Sequence, residues 1–585
     1  MLRGIFRTKN LDDILAAAGG PQFSLKRTLG AFNITLLGIG AIIGAGIFAT
    51  VGTAAAGDAV RPGAGASLML SFVITAIVCG FTALCYAEFA SMVPISGSAY
   101  TYSYATLGEL VAWIIGWDLI IEYAVGNIAV AISWANYFRT LLDDLGIHFP
   151  QWLATDYRTA AKIPGLYESA PHIFGVPIVF NLLAFGIVAL ITIVLVWGIK
   201  ESAGFNAVMV GIKILVLLFF IVVALYFVSP ATMVKNWQPF QPNGWSGTFT
   251  GAALVFFAYI GFDAVSTVAE ECKNPSRDLP IGIIASLVIC TIFYVVVAAV
   301  FTGIIPYQEL VQRLSTEQAE PLTMALDHVA PQANWASAIV AFGSVVAHTA
   351  VLLVFQLGQP RIFFSMARDG LLPSVFASVH PKYKTPHVTT ILTGIFVGGF
   401  AAFASIDEMV DLTNIGTLFA FVLVCIGIII LRYKDPARPR PFRVPFGPWF
   451  LPLLGAASCF FLMYYLPPAS WWRFIGWLVL GMAIYTSFGY THSAIGMKMG
   501  RPARAPLPLK LAALGFLLVA CGLFTIPHDA GPSRLINEAI NSGAEDHARA
   551  LAGLILIVIG LLLGIAGTAM GASQPDKPDD AASNV

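Results

Sequence analysis

One lysine lies inside a long apolar stretch of this chain. Lys213 is flanked by Ile212 and Ile214, about ten residues into its stretch, which at about 1.5 Å per helical residue is near the middle of a bilayer. Ionisable residues inside membrane segments commonly serve proton relays or ligand sites. Lys213 is therefore a candidate for proton exchange, or for an ammonium group that occupies the place of a bound cation. The alternative, snorkelling to the interface, is disfavoured by this depth.

Two acidic residues occupy another apolar stretch. Asp118 and Glu122 are four residues apart, so in a helix they share one face. Glu122 lies deeper, and an intramembrane carboxylate is a functional candidate; a purely structural polar contact remains an open alternative. For Asp118 we expect an interfacial position or a hydrogen bond between spans.

The first apolar stretch is rich in glycine. Gly38, Gly40, Gly44 and Gly46 fall within nine residues, and glycine weakens a helix interior. In hydrocarbon, a helix can break only where its freed backbone groups line a cavity or a site. A break here predicts a binding site made of backbone groups. Close packing of helices through small residues is the alternative.

A second interrupted stretch favours the binding site. It reads Phe-Phe-Ala-Tyr-Ile-Gly-Phe-Asp over residues 256–263, and an aspartate in mid-span needs a partner or a helix end. Matching broken spans in two halves of a chain are typical of secondary transporters. Five spans separate the starts of the two halves, and this odd number predicts that the second half is inverted.

Composition and hydropathy agree with a polytopic membrane protein. The chain has 585 residues, of which 58% are hydrophobic and 11% charged, whereas a soluble protein carries about 25% charged residues. Each spanning helix needs about 20 apolar residues. Fourteen spans are predicted, near 30–52, 66–90, 109–138, 176–198, 204–229, 248–270, 280–304, 333–360, 386–405, 410–432, 449–467, 471–491, 508–527 and 548–570.

These spans predict an all-α membrane protein with a five-plus-five inverted-repeat core. The predicted divisions are an N-terminal tail (1–28), repeat one (29–230), repeat two (248–432), accessory spans 11–14 (433–572) and a C-terminal tail (573–585). With both tails inside, inward segments carry 22 Lys and Arg residues and outward segments carry 9, the remaining one being Lys213. This bias favours cytoplasmic termini.

Charge and cysteine content limit the function classes. The formal net charge is zero, so nothing suggests a nucleic-acid partner. The seven cysteines form no Cys-x-x-Cys pair, which argues against a disulfide framework or a metal site. No grouping of His, Cys and Asp has the spacing of a nucleophile–base pair or a metal cluster. We therefore expect that the protein needs no cofactor and is not an enzyme. An ion channel is also disfavoured, because a channel should lack two matched broken spans.

Three motifs resemble a known family. They are Gly-Ala-Ile-Ile-Gly-Ala-Gly-Ile-Phe (40–48), the segment 256–263 followed by Glu-Glu and Asn-Pro-Ser-Arg-Asp-Leu-Pro, and Met-Ala-Arg-Asp-Gly-Leu-Leu-Pro (366–373). Residues 25–490 resemble the cationic amino acid transporters of the amino acid–polyamine–organocation superfamily, in a bacterial-type form. The fourteen spans match this family better than its twelve-span relatives.

The resemblance implies a backbone site for an L-amino acid. The substrate carboxylate would meet amides freed near a positive half-helix end, and its amino group would meet backbone carbonyls, with Phe257 as an aromatic gate. The implied amide residues are Ile42, Ile43, Gly44, Ala45 and Gly46, and the implied carbonyl residues are Phe257, Ala258 and Ile260.

The resemblance also implies roles for three side chains. Lys213 matches a fifth-span lysine that, in proton-coupled relatives, stands where sodium binds in sodium-coupled ones. Glu122 matches an acidic position of bacterial members. His348 departs from the usual apolar residue; we expect its ring to face the substrate side chain, and a hydrogen-bonded packing histidine is the open alternative.

The implied function is secondary active transport of L-amino acids in the inner (plasma) membrane. We expect proton-coupled uptake by alternating access, with the substrate, the proton and the lipid bilayer as partners. An amino acid exchanger with the same site is the first alternative, and a cationic amino acid uniporter is the second. Because His348 would shorten the side-chain space, we expect small neutral or polar substrates over arginine and lysine.

Overall fold

The structure is a computed structural model. It describes residues 6–9, 28–58, 61–92, 98–161, 163–198, 203–316, 320–383, 385–498, 501, 505–527, 532–540 and 546–572. The C-terminal tail and most of the N-terminal tail predicted from the sequence lie outside these residues.

Helices account for nearly all regular structure in the described residues. The α-helices are α1 (Ala31–Ile42), α2 (Ala45–Phe48), α3 (Thr50–Ala56), α4 (Leu68–Met92), α5 (Ser98–Thr106), α6 (Glu109–Asp144), α7 (Tyr157–Ala160), α8 (Leu166–Ser169), α9 (Leu182–Trp197), α10 (Ala203–Phe227), α11 (Pro230–Asn236), α12 (Gly244–Val255), α13 (Pro275–Ile304), α14 (Tyr307–Thr316), α15 (Pro321–Val329), α16 (Asn334–Arg368), α17 (His387–Phe403), α18 (Ile406–Lys434), α19 (Phe450–Tyr464), α20 (Pro468–Ile484), α21 (Tyr490–His492), α22 (Ala494–Lys498), α23 (Leu507–Thr525), α24 (Pro532–Ile540) and α25 (His547–Ala572).

Short 3₁₀ segments, one π-helical turn and one hairpin complete the elements. The 3₁₀ segments are Gly65–Ser67, Gln151–Leu153, Phe256–Tyr259, Asp263–Glu271 and Ser374–Ala377, and the π-helical turn is Tyr485–Gly489. Strands β1 (His172–Ile173) and β2 (Val176–Pro177) form an antiparallel hairpin with His172 opposite Pro177.

The fourteen predicted spans coincide with fourteen apolar helical segments. Among the described residues, ten are long and apolar enough to cross a membrane, and α1, α9, α17 and α19 are shorter apolar helices. The predicted class, an all-α polytopic membrane protein, is confirmed. The long helix α6 packs against α16 and α18, while α1 packs against α10 and α13.

The first span is interrupted at the glycine-rich stretch. Helix α1 ends at Ile42, and Ile43 takes an extended conformation with φ −74° and ψ 106°. Gly44 is also extended, with φ −163° and ψ −143°, before α2 begins at Ala45. The predicted break is therefore two residues long.

The sixth span is interrupted at a matching depth, but its second half is not α-helical. Helix α12 continues as the 3₁₀ segment Phe256–Tyr259, Ile260 is extended, and the chain resumes as 3₁₀ helix from Asp263. Gly261 has φ +121°, and a Cβ there would lie 2.8 Å from the carbonyl atoms of Ala41. Glycine is required at this position because other residues rarely take this conformation and the first span approaches closely.

The mid-span Asp263 lies at a helix start. It is the first residue of the 3₁₀ segment, and its Oδ1 accepts a hydrogen bond of 3.2 Å from the Gly261 N–H. The sequence predicted that an aspartate in mid-span needs a partner or a helix end, and Asp263 lies at a helix end.

Backbone hydrogen bonds join the segment just before α1 to the end of the sixth span. The N–H groups of Thr28 and Leu29 donate to the Glu271 carbonyl at 2.9 and 3.0 Å, and the Lys273 N–H donates to the Leu29 carbonyl at 2.8 Å. Leu29 and Cys272 form a parallel bridge. The two broken spans are therefore linked to each other at one end.

Helix α6 is held by the accessory spans. Trp117 Nε1 donates to the Trp477 carbonyl at 2.8 Å, and Trp477 Nε1 donates back to the Trp117 carbonyl at 3.1 Å. At the start of α6, the buried carboxylate of Glu109 accepts hydrogen bonds from Arg501 at 2.7 Å and from Tyr485 at 2.7 Å. These contacts fix the helix that carries Glu122.

Candidate functional site

The side chain of Lys213 supplies hydrogen-bond donors to backbone carbonyls at the first break. Its Nζ donates to the carbonyl oxygens of Gly40 at 2.5 Å and Ile43 at 2.9 Å, and the side chain is completely buried. In an unbroken helix these carbonyls would accept from N–H groups four residues later. Lys213 does not snorkel, and its ammonium takes the position that a bound cation could occupy between two carbonyls.

Tyr294 connects the two breaks. Its hydroxyl lies 2.9 Å from the Ile42 carbonyl oxygen and 2.9 Å from the Ala258 carbonyl oxygen. A hydroxyl carries a single proton, so these two oxygens share one donor. The ring is held by Phe72 and Tyr259, with centroid distances of 5.4 Å to each.

Other side chains satisfy carbonyls around the breaks. Asn414 Nδ2 donates to the carbonyls of Ala253 at 3.0 Å and Leu254 at 3.1 Å, just before the second break. Tyr137 donates to the Phe48 carbonyl at 2.5 Å. Buried carbonyls without donors are costly, so these contacts stabilise the non-helical backbone.

The two breaks touch each other. A Cβ built on Gly46 would lie 2.1 Å from the Cα of Ala258, so only glycine fits. Helix α2 begins directly after Gly44, and the N–H groups at a helix start lack intrahelical acceptors. The predicted amide and carbonyl residues are all buried side by side: Ile42, Ile43, Gly44, Ala45, Gly46, Phe257, Ala258 and Ile260.

Glu122 lies in a separate acidic cluster. Its neighbours include Thr417 and the acidic residues Asp118 and Asp263. Both oxygens of the completely buried Asp118 have no hydrogen-bond partner among the described residues. The expected inter-span hydrogen bond of Asp118 is therefore not formed among the described residues, whereas its interfacial depth stays a prediction. Among the residues that the structure describes, no hydrogen bond or ion pair joins Glu122 to Lys213.

His348 is fully buried, and both ring nitrogens have partners. Nδ1 lies 2.6 Å from the Ser344 carbonyl oxygen, and Nε2 lies 2.7 Å from Ser133 Oγ. With Nδ1 donating to the carbonyl, Nε2 accepts from the serine, so a neutral ring satisfies both contacts. The ring packs against Phe48 at 5.8 Å and Tyr137 at 5.7 Å.

Ion pairs lie on both sides of the breaks. On the side that follows α3, Arg61 Nη1 is 2.7 Å from Asp411 Oδ1, and both residues are buried. On the side of the N-terminus, Lys9 pairs with Asp369, which also accepts a 2.8 Å hydrogen bond from Tyr100. These ion pairs tie distant parts of the chain together on each side of the two breaks.

Sequence reasoning missed Tyr294 and Asn414 as parts of the site. Tyr294 lies in an apolar run and resembles any packing aromatic residue in the sequence. Asn414 carried a usable signal, because an amide in the middle of a span needs a hydrogen-bond partner. In both cases the partners are backbone carbonyls freed by breaks that are distant in the chain.

Fourteen apolar helices, with two of them broken side by side around freed backbone groups, define a polytopic membrane transporter. Residues 29–494 match the model of the amino acid permease family. The chain belongs to this family, within the amino acid–polyamine–organocation superfamily, and transports amino acids. It is a transporter and not an enzyme.

Individual relatives agree with this assignment. The branched-chain amino acid permease BcaP of Bacillus subtilis is 48% identical over 85% of this chain and 100% of the relative. The methylthioribose transporter of Bacillus subtilis is 43% identical over 84% of this chain and 100% of the relative. The vacuolar cationic amino acid transporter 4 of Arabidopsis thaliana is 36% identical over 74% of this chain and 68% of the relative. The resemblance to cationic amino acid transporters is confirmed.

Tyr294→Phe is expected to weaken amino acid binding about tenfold. The variant keeps the ring and removes the hydroxyl shared by the two breaks, and one buried hydrogen bond contributes about 0.5–1.5 kcal/mol. Tyr259→Phe is the matched control, because its hydroxyl donates to the Phe72 carbonyl at 2.9 Å, away from Ile42. Calorimetric titration would compare both variants with the wild type. Equal affinities for the two variants would show that Tyr294 supports only stability.

Proposed function

We propose that this chain performs proton-coupled uptake of neutral L-amino acids by alternating access. It would lie in the inner (plasma) membrane with both termini in the cytoplasm. The observation that carries the proposal is the pair of hydrogen bonds that Lys213 Nζ donates to the carbonyls of Gly40 and Ile43. A single protonatable group thereby contacts the backbone on both sides of the end of α1.

Proton exchange at Lys213 would change the first break directly. A charged donor forms stronger hydrogen bonds to carbonyls than a neutral one. Protonated Lys213 therefore stabilises the bent backbone of residues 40–43, and loss of the proton loosens it. Movement of α1 is then tied to the protonation of one side chain, as coupled uptake requires.

The substrate would bridge the two breaks. We propose that its carboxylate meets the amide groups of residues 42–46 and that its ammonium meets the carbonyls of Phe257, Ala258 and Ile260. The Tyr294 hydroxyl has one proton for two carbonyls. The substrate ammonium could therefore donate to the Ala258 carbonyl while the hydroxyl donates to the Ile42 carbonyl. Phe257 would cover the bound molecule, and Glu122 would assist proton transfer.

A neutral substrate side chain is favoured by the surroundings of His348. Its nitrogens are occupied by Ser133 and Ser344, and the aromatic rings of Phe48 and Tyr137 surround it. These groups offer no negative charge to an arginine or lysine side chain. The name of the relative BcaP, a branched-chain amino acid permease, also supports neutral substrates.

Uptake by proteoliposomes tests the proposal. An inward pH gradient should drive accumulation of a labelled neutral amino acid, and unlabelled small or branched neutral amino acids should compete better than arginine, lysine or methylthioribose. Accumulation that needs an internal amino acid and ignores the gradient would instead identify an exchanger. Placement of Val585 outside by reporter fusions would overturn the proposed orientation.

His348→Ala is expected to change side-chain preference. Removing the ring opens space beside Phe48, so larger neutral amino acids should compete better, by about tenfold, since one contacted methylene is worth about 1–3 kcal/mol. The measurement is a competition panel of unlabelled amino acids on both proteins. His148→Ala, at an exposed histidine, is the control. Identical inhibition profiles, or a wild type that prefers arginine, would remove His348 from selectivity.

A further inference from the structure

The loop between α18 and α19 carries an excess of positive charge. Its segment 432–443 contains five cationic residues and one acidic residue, Asp435. Asp435 pairs with Arg438 at 2.8 Å, and the buried Glu88 accepts from Arg432 at 2.9 Å and lies 3.4 Å from Arg440. Five cations thus face two carboxylates.

One guanidinium in this loop is unpaired. Arg443 is exposed and has no hydrogen-bond or ion-pair partner among the residues that the structure describes. The pKa of Arg440 lies below its usual value because burial and the charges of Arg432 and Arg443 outweigh Glu88. Among the described residues, no acidic partner therefore compensates the positive charge at Arg443.

Exposed aromatic rings lie near Arg443 in the sequence, in the same loop or in the adjoining helices. Phe446 is 77% exposed, and Tyr433, Trp449 and Phe450 are each more than half exposed. Phe446 and Phe450 lie 6.3 Å apart, and Tyr433 and Trp449 lie 5.3 Å apart. We name these four residues together with Arg443 the basic–aromatic surface. Aromatic residues with an apolar body and a polar edge concentrate at the membrane–water interface.

The backbone holds Phe446 outward at a cost. Phe446 has φ +59° and Gly447 has φ +84°, and a bulky residue in the left-handed region is strained. The loop is anchored just before this turn, where the Val444 N–H donates to Glu88 Oε2 at 2.7 Å. A fixed loop that displays a strained, exposed aromatic residue indicates a binding function.

The surface continues into the exposed apolar side of α19. Leu453 is 57% exposed and Phe460 49% exposed along the same short apolar helix as Phe450. The basic–aromatic surface therefore lies where this apolar stripe meets water. In the proposed orientation it faces the inner leaflet, whose anionic lipids attract basic segments next to a span.

We propose that the basic–aromatic surface binds an anionic phospholipid of the inner leaflet. The phosphate lies on Arg443, and the rings of Phe446 and Trp449 pack against the glycerol and upper acyl region. Arginine suits a phosphate because its planar group can donate two parallel hydrogen bonds. The leaflet rests on the proposed orientation, whereas the binding itself does not depend on transport.

Lipid-dependent thermal unfolding of the full chain in detergent tests this proposal without any substrate. Phosphatidylglycerol should raise the unfolding midpoint, while phosphatidylcholine should raise it much less, and high salt should reduce the difference. Arg443→Gln should remove most of the phosphatidylglycerol effect. Phe446→Gly, which removes the ring and suits the positive φ, should also reduce it.

Lys510→Gln is the matched control for charge, because Lys510 is an exposed lysine on α23 and should keep the full effect. An equal rise with phosphatidylcholine, or an unchanged rise in Arg443→Gln, would overturn the proposal. Soluble glycerol phosphate should give no rise. The same rise with that compound would identify a simple anion site and would also overturn the lipid assignment.

Discussion

Gly46→Ala is expected to reduce amino acid binding about 100-fold or to abolish it. The new methyl group would lie 2.1 Å from the Cα of Ala258 and 2.5 Å from its Cβ. The nearest atom belongs to the backbone and cannot rotate away, so the two breaks must separate. Overpacking of this kind costs about 1–3 kcal/mol, and the upper end corresponds to about 100-fold. Calorimetric titration of the purified variant measures the loss.

A second substitution distinguishes the backbone contact from a side-chain contact. Ala258→Gly removes only the Cβ, so it should not rescue Gly46→Ala, because the Cα remains in place. Gly211→Ala is the control for folding and expression, since a Cβ there has nothing within 4 Å. Normal binding by Gly46→Ala would show that the breaks do not need their close contact and would remove Gly46 from the site.

Lys213→Ala is expected to abolish uptake driven by a pH gradient. The variant removes the only side-chain donor to the Gly40 and Ile43 carbonyls within the described structure, and with it the proposed proton carrier. Exchange of internal for external amino acid needs no net proton movement and should be retained at least in part. Uptake and counterflow in the same proteoliposomes, with and without the gradient, separate the two activities.

Loss of stability must be distinguished from loss of coupling. Two buried carbonyls without donors cost about 1–3 kcal/mol each, so the thermal unfolding midpoint of Lys213→Ala should fall. Lys235→Ala removes an exposed lysine on α11 and should leave both activities unchanged. If Lys213→Ala retains counterflow and also retains gradient-driven uptake, the lysine has only a structural role.

The spans and both breaks were predictable because they follow from local properties of the sequence. Apolar length identifies a span, and the glycine cluster around Gly44 and the single Gly261 indicate where the two helices are interrupted. Asp263 was identified as a residue that needs a partner or a helix end, since burial of a bare charge is costly. These features depend on residues that are neighbours in the chain.

The contacts that complete the site depend on packing between distant spans. Nothing around Tyr294 indicates that its hydroxyl reaches both Ile42 and Ala258. The surroundings of Asp118 also could not be predicted. Whether its carboxylate has a partner depends on the neighbouring helix, which approaches it at Gly416. The 3₁₀ geometry after Gly261 has no clear pattern in the sequence.

The backbone bridge between Leu29 and Cys272 has a consequence for leakage. Three hydrogen bonds join residues 28–29 to residues 271–273, so a tilt of α1 alone would stretch them. The end of the sixth span must follow, and inward opening becomes one concerted event. A transporter whose two half-helices moved independently would have partly open forms, through which protons could pass without cargo. In the proposed proton-coupled transport, a bridge that reduces the number of such forms would conserve the energy of the gradient.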